Sequence, residues 1–124
     1  MKDQIDCRTE GGEYLRFNLF REGRPLSPMG GNFLYVKDGG GEGHQVLFAG
    51  QTDNLALHAQ ERWGEAQGKF GSIGLYTRLN ITTAVRRREH SELVGALGPP
   101  MNAEEPRSGA KPAPDTDSAS AGGF

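Results

Sequence analysis

The apolar residues of this chain occur in short runs whose spacing changes halfway along, and this change most limits the folds open to it. From Tyr14 to Phe20 apolar and polar residues alternate, as in a strand with one buried face. Residues 33–36 and 46–49 are nearly continuous apolar runs of strand length. The apolar residues that follow recur at helical spacing. They are Leu55, Ala59, Trp63 and Ala66.

Two helices and a further short strand are predicted in the second half. The first helix is predicted over about residues 54–67, capped by Thr52 or Asp53, and an alternating strand follows it over residues 73–80. A second helix opens at Thr82 or Thr83 and stops at residues 98–100, because proline neither donates into a helix nor permits helical geometry just before itself. The order β, β, β, α, β, α predicts an α+β domain. We expect a small three- to four-stranded, mostly antiparallel sheet with two or more packed helices.

The two ends of the chain carry little apolar surface. Residues 1–12 are polar and end in two glycines, which predicts a flexible leader. Residues 103–124 contain proline, serine, glycine, alanine and charge, with no large apolar side chain before Phe124. Nothing in that segment offsets the entropy of ordering it, so it is predicted to be a disordered tail. The predicted domain is then residues 13–102, with room for one small core.

Charge and cysteine content narrow the function classes. The net charge is −2, and the tail accounts for it with four acids against two bases, which leaves residues 1–102 neutral. A neutral domain is a weak electrostatic match for many phosphates. The single cysteine, Cys7, excludes an internal disulfide and a cysteine-based zinc site. No apolar run approaches the roughly 20 residues that span a bilayer, and the first residues do not form a signal peptide, so we expect a cytoplasmic protein with no membrane partner.

Four short stretches together resemble the GIY-YIG nuclease superfamily. They are Gly31-Asn32-Phe33 at the start of one strand, Phe48-Ala49-Gly50 at the end of the next, Gln51-Thr52-Asp53-Asn54-Leu55 entering a helix, and Leu93-Val94 followed by Pro99-Pro100-Met101-Asn102. Their order and spacing fit the family over roughly residues 30–102. The preceding strand and residues 63–66 are similar to a bacterial subgroup with an extra N-terminal strand.

The resemblance implies hydrolysis of a phosphodiester with one divalent metal, but most of the required groups are absent. In the family, two tyrosines position or activate the attacking water, and here those positions hold Phe33 and Phe48. The position of the arginine that stabilises the phosphate charge holds His58, and that of the metal-binding glutamate holds His90. A phenyl ring moves no proton, and imidazole is a poor substitute for carboxylate around magnesium. Gly31, Gly50 and Asn102 remain at family positions.

Neighbouring residues could take over some of these roles if the register shifted. Tyr35 shares a strand face with Phe33 and would supply a phenol. Arg62 lies one helical turn after His58, and Glu89 directly precedes His90. A nuclease built from these three residues would require Mg²⁺, whereas no cofactor is expected otherwise.

Two further sets of side chains have functional and structural interpretations. His58 and His90 could provide nitrogen ligands for a transition metal, with His44 on a loop, but two histidines without a third close ligand predict no metal site. Arg86 and Arg88 belong to a run of three arginines that spreads around a helix, which favours a solvated face paired with nearby glutamates. The alternative is an edge that contacts phosphates.

Three functional hypotheses follow. The first is a GIY-YIG-like domain that has lost catalysis and binds a nucleic-acid structure or a protein through the old cleft. The second is an active metal-dependent endonuclease using Tyr35, Arg62 and Glu89. The third is a structural interaction module with no nucleic-acid role, which the neutral domain favours more than it favours DNA binding.

Overall fold

One five-stranded antiparallel sheet forms the framework of the domain. The computed structural model describes residues 1–38 and 43–103. The sheet curls, and its strands lie side by side in the order β1-β2-β5-β3-β4. Their bounds are β1 Gln4–Arg8, β2 Tyr14–Leu19, β3 Gly31–Asp38, β4 His44–Thr52 and β5 Ile73–Leu79. The predicted α+β class is confirmed, with one strand more than the three to four expected.

The additional strand comes from the predicted leader, and the prediction that residues 1–12 are flexible is wrong. Ile5 and Cys7 of β1 are buried while their neighbours are exposed, so the segment alternates like a strand. β1 pairs with β2 along its whole length, with Ile5 opposite Phe17. The two buried side chains were too few to stand out in a polar sequence.

Within the described residues, four helices pack on the sheet. They are α1 Leu55–His58, α2 Trp63–Phe70, α3 Thr83–Leu97 and α4 Pro100–Ala103. α3 matches the predicted second helix, but the helix predicted over residues 54–67 is split into α1 and α2. Between them the Tyr35 hydroxyl donates to the Ala59 carbonyl at 2.8 Å and accepts the Arg62 amide at 3.2 Å. Asn54, rather than Thr52 or Asp53, caps α1 by accepting the Leu57 amide at 3.2 Å.

The core consists of two clusters. In the first, side chains from all five strands pack with Leu93, Val94 and Leu97 of α3. In the second, Phe33, Tyr35 and Phe48 pack with residues of α1, α2 and α4. The second cluster places α1 and α2 beside Phe33, near the start of β3, and Phe48, in the later part of β4, where the motif positions lie.

One predicted feature, the tail, lies outside the described residues from residue 104 onward. Among the helices described, none combines the length and the apolar character needed to cross a membrane.

Candidate binding cleft

The pairing of β3 with β4 brings Gly31-Asn32-Phe33 and Phe48-Ala49-Gly50 together. Phe33 lies directly opposite Gly50 in the register of the two strands. α1 then places His58 beside them, and α3 places His90. Five of the positions that the resemblance singles out therefore line one cavity of about 350 Å³, which we call the cleft. They are Phe33, Phe48, Gly50, His58 and His90.

Two glycines permit the close packing around the cleft. A Cβ on Gly50 would collide with the ring of Phe33. A Cβ on Gly31 would lie 2.5 Å from the Arg78 carbonyl oxygen and 2.7 Å from Cδ1 of Leu55, the first residue of α1. Both positions thus need glycine for close approach of a neighbouring group.

Three aromatic rings form an apolar wall of the cleft. The ring centroids of Phe33, Tyr35 and Phe48 are 5.3 to 5.9 Å apart, within the range of favourable tilted contacts. Tyr35 is fully buried, and its hydroxyl is engaged by the Ala59 carbonyl and the Arg62 amide. Burial raises the pKa of Tyr35 to about 12, so this phenol keeps its proton at neutral pH.

The basic side chains Arg62 and His58 at the cleft each lie beside a glutamate. Arg62 donates to both carboxylate oxygens of Glu65, at 3.0 and 2.9 Å, and its guanidinium lies 4.9 Å from the Phe48 ring centroid. The pKa of Glu65 is lowered, mainly by this hydrogen-bonded pair. Nδ1 of His58 lies 2.8 Å from a carboxylate oxygen of Glu61. The cleft therefore presents no large excess of positive charge.

His90 and Asn102 hold the outer edge of β4. Nε2 of His90 lies 3.0 Å from the Ala49 carbonyl oxygen, and since a carbonyl only accepts, Nε2 carries the proton. The Asn102 side chain donates to the same oxygen at 2.9 Å and accepts the Ala49 amide at 2.8 Å. Asn102 satisfies both backbone groups of Ala49. It is not among the residues that line the cleft.

Glu89 and Arg86 lie in a buried polar cluster rather than in the cleft. Glu89 accepts the Asn80 side-chain amide at 2.8 Å and pairs with Arg78 at 3.4 Å. Arg86, which is only 4% exposed, donates to Gln51 at 2.9 Å and to the Asn80 carbonyl at 3.2 Å. The arrangement expected for Arg86, a solvated face or a phosphate edge, is therefore wrong, because its guanidinium is used inside the domain.

Arg88 differs from Arg86 in its exposure. Its side chain is 57% exposed and pairs with Glu89 at 3.8 Å and with Glu92 at 3.7 Å. This matches the predicted solvated face with glutamate partners.

The histidines do not complete a metal site with the acids near them. His58, Glu61 and His90 all line the cleft, yet no group of three or more histidine, cysteine, aspartate or glutamate side chains that could hold a metal occurs within residues 1–38 and 43–103. His44 lies at the start of β4 and lines other cavities. Where the resemblance implies a magnesium-binding carboxylate, the structure has the imidazole of His90, which does not fit that ion.

The cleft also contains residues that the sequence reasoning missed. Glu61, Gln51 and Thr52 contribute to its lining. Glu61 could have been found, because a glutamate three residues after His58 lies beside it on a helical turn. The chain matches none of the family models, curated proteins or solved structures with which it was compared.

Proposed function

We propose that this chain is a GIY-YIG-like domain that lacks nuclease chemistry and acts as a protein-interaction module through its cleft. The observation that carries the proposal is the convergence of five family positions on one cavity in which phenyl rings replace both phenols. The glycines of the family pattern remain and serve close packing, and the asparagine remains and hydrogen-bonds the backbone of Ala49, whereas the groups that would act on a phosphodiester are replaced.

The positions of the substitute residues weigh against the active-nuclease alternative. Tyr35 would have to accept a proton, but its hydroxyl is buried and held between two backbone groups. Glu89 would have to hold Mg²⁺ in the cleft, but its carboxylate is bound by Asn80 and Arg78 in the polar cluster. Of the three substitutes, only Arg62 has a charged group at the cleft.

The charges favour a polypeptide ligand over nucleic acid. Nucleic-acid binding draws its affinity from cations that neutralise phosphates. Here Arg62 is paired with Glu65, Arg88 with two glutamates, and Arg86 is buried. A cleft lined by aromatic rings and by polar side chains instead fits an apolar side chain together with its backbone amides.

The first test is a paired assay on the purified chain. Branched, single-stranded and duplex DNA are incubated with it under magnesium or manganese and scored for cleavage and for gel shift. We expect neither signal. Cleavage would revive the nuclease alternative, and a gel shift that weakens steeply with salt would replace the protein ligand by nucleic acid.

The second test asks whether the cleft binds polypeptide. Peptides selected from a random displayed library on the parent chain are retested on His58→Trp, which places a large side chain at the cleft. The matched control is Leu57→Trp, since Leu57 is 68% exposed and lies outside the cleft lining. We expect His58→Trp alone to weaken binding. Equal binding by both variants, or no selected peptide, would contradict the proposal.

A further inference from the structure

The two outermost strands of the sheet, β1 and β4, border a groove that is separate from the cleft. One cavity of about 350 Å³ lies between Lys2 and Ile5 on one side and Asp38 and His44 on the other. A second, of about 310 Å³, lies between residues 6–8 and residues 44–46, beside the end of α3. Both cavities have His44 in their lining, and we call the two together the edge groove.

Strand direction prevents the sheet from closing this groove with antiparallel pairing. Every neighbouring pair in the order β1-β2-β5-β3-β4 is antiparallel, so β1 and β4 run in the same direction. An antiparallel barrel that closes by direct neighbours needs an even number of strands. One additional strand, antiparallel to both β1 and β4, would complete a set of six.

Backbone groups of β1 face the groove at alternate residues. The Leu19 amide donates to the Asp3 carbonyl at 2.8 Å, and the Thr9 amide donates to the Glu13 carbonyl at 2.8 Å. Odd-numbered residues of β1 therefore bond toward β2. By the alternation of antiparallel ladders, Asp6 and Arg8 direct their N–H and C=O groups away from β2, toward the groove.

β4 presents a corresponding set. The Ala49 N–H and C=O groups bond to the Asn102 side chain, so this residue faces away from β3. Following the register through the one-residue bulge, Val46 and His44 face the same way. The side-chain amide of Asn102 already pairs with this edge as a single peptide group of an added strand would.

The side chains of the groove indicate the chemistry of its occupant. Its lining carries both signs of charge, from Lys2 and Arg8 and from two acids that are already paired, Asp6 with Arg16 at 2.9 Å and Asp38 with the Met1 amino group at 3.7 Å. The groove therefore offers no long run of like charge to a polyanion, and it suits a segment of balanced charge. The buried lining is apolar and comes from Ile5, Cys7 and Val46. We propose that the edge groove binds an extended segment of a partner polypeptide, inserted antiparallel between β1 and β4, with apolar residues alternating with polar ones.

The probe is a blocked six-residue peptide of alternating threonine and valine, measured by NMR amide hydrogen exchange on the full chain. We expect the peptide to slow exchange of the groove-facing amides of Asp6, Arg8, His44 and Val46 by about tenfold or more. The control is the same peptide methylated on every second amide nitrogen. Because alternate amides of an extended peptide face opposite sides, the methylated peptide cannot donate to one of the two strand edges, and it should protect the groove-facing amides less. Equal protection by both peptides, or none, would overturn the proposal. So would protection that rises with protein concentration alone, because a second copy would then fill the groove.

A pair of protein variants tests the backbone contact directly. His44→Pro removes a groove-facing donor without removing a bond to β3, at the first residue of a strand, where proline is tolerated. His44→Ala removes the side chain and keeps the donor. We expect peptide affinity to fall about tenfold or more in His44→Pro only, since one peptide hydrogen bond is lost and its partner is left without one. Equal affinities would contradict the proposal, and if His44→Pro does not fold, the methylated peptide on the unaltered chain decides.

Discussion

Tyr35 connects the sheet to the turn between α1 and α2 through a single hydroxyl group. Replacing it with phenylalanine leaves the ring packing in place but removes the bonds to the Ala59 carbonyl and the Arg62 amide. Because the site is fully buried, these groups lose their partner without gaining water. We expect Tyr35→Phe to lower the free energy of unfolding by about 1–3 kcal/mol, measured by urea denaturation. Tyr14→Phe, at a side chain 67% exposed, is the control and should change it by less than about 0.5 kcal/mol.

The same residue gives the stability a pH dependence in the alkaline range. Burial raises the pKa of Tyr35 from 10.0 to about 12, so between these pH values the folded chain keeps a proton that the unfolded chain has lost. Raising the pH therefore favours unfolding, and the contribution is complete below pH 10 and lost as the pH rises toward 12. We expect the urea midpoint to fall over this range, and to fall less steeply in Tyr35→Phe. Parallel curves for the two proteins would show that Tyr35 does not carry the effect.

At the scale of elements, α3 is unusual because polar residues occupy part of its buried face. Arg86, Glu89 and Leu93 lie three and four residues apart and are all buried. Glu89→Ala would leave the Asn80 amide and Arg78 without their acceptor, and we expect it to lower the free energy of unfolding by about 2–3 kcal/mol. Glu89→Gln keeps an acceptor oxygen and should cost about 1 kcal/mol less. The two are compared by urea denaturation, and equal losses would mean that the oxygen acceptor contributes little.

The structural role of Glu89 affects the interpretation of any activity assay that uses a variant of this residue. An effect of Glu89→Ala on DNA cleavage or binding would include the loss of folded protein, so the residue's position in the polar cluster has to be considered before a catalytic role is assigned. Glu89→Gln, at matched folded fraction, separates the two effects.

Local patterns predicted the elements whose burial is periodic and missed those that depend on distant partners. β2, β5 and α3 followed from alternation and from the stop at Gly98. The break between α1 and α2 could not be predicted from local patterns, because it depends on Tyr35, which lies 24 residues before its hydrogen-bond partner Ala59. The motif spacing grouped Phe33, Phe48 and His58, and the side chains of these three residues line one cleft. The burial of Arg86 and Glu89 was missed because their partners lie far from α3 in local structure, Gln51 in β4 and Asn80 directly after β5.

At the scale of the whole domain, the resemblance to the nuclease superfamily can be tested by gain of function. If the framework places groups as in that family, Phe33→Tyr, Phe48→Tyr, His58→Arg and His90→Glu together restore two phenols, a guanidinium and a metal-binding carboxylate at one cavity. The introduced groups supply properties that the present side chains lack. The phenols can transfer a proton, the guanidinium can donate a fork of hydrogen bonds to a phosphate, and the carboxylate offers an anionic oxygen to a hard cation. We expect the fourfold variant to cleave DNA under magnesium.

The matched control is the same variant with His90→Gln in place of His90→Glu, since glutamine has the size of glutamate without its charge. With the carboxylate, cleavage should exceed that of the control by about a hundredfold or more, and chelation of the metal should abolish it. Both variants lose the hydrogen bond from His90 to Ala49, but Asn102 still bonds that carbonyl, so the edge of β4 keeps a partner. A folded fourfold variant that cleaves no more than its glutamine control would mean that the framework does not align these positions for phosphodiester chemistry. The interaction role of the cleft would then rest on its aromatic wall and balanced charges alone, independently of the nuclease family.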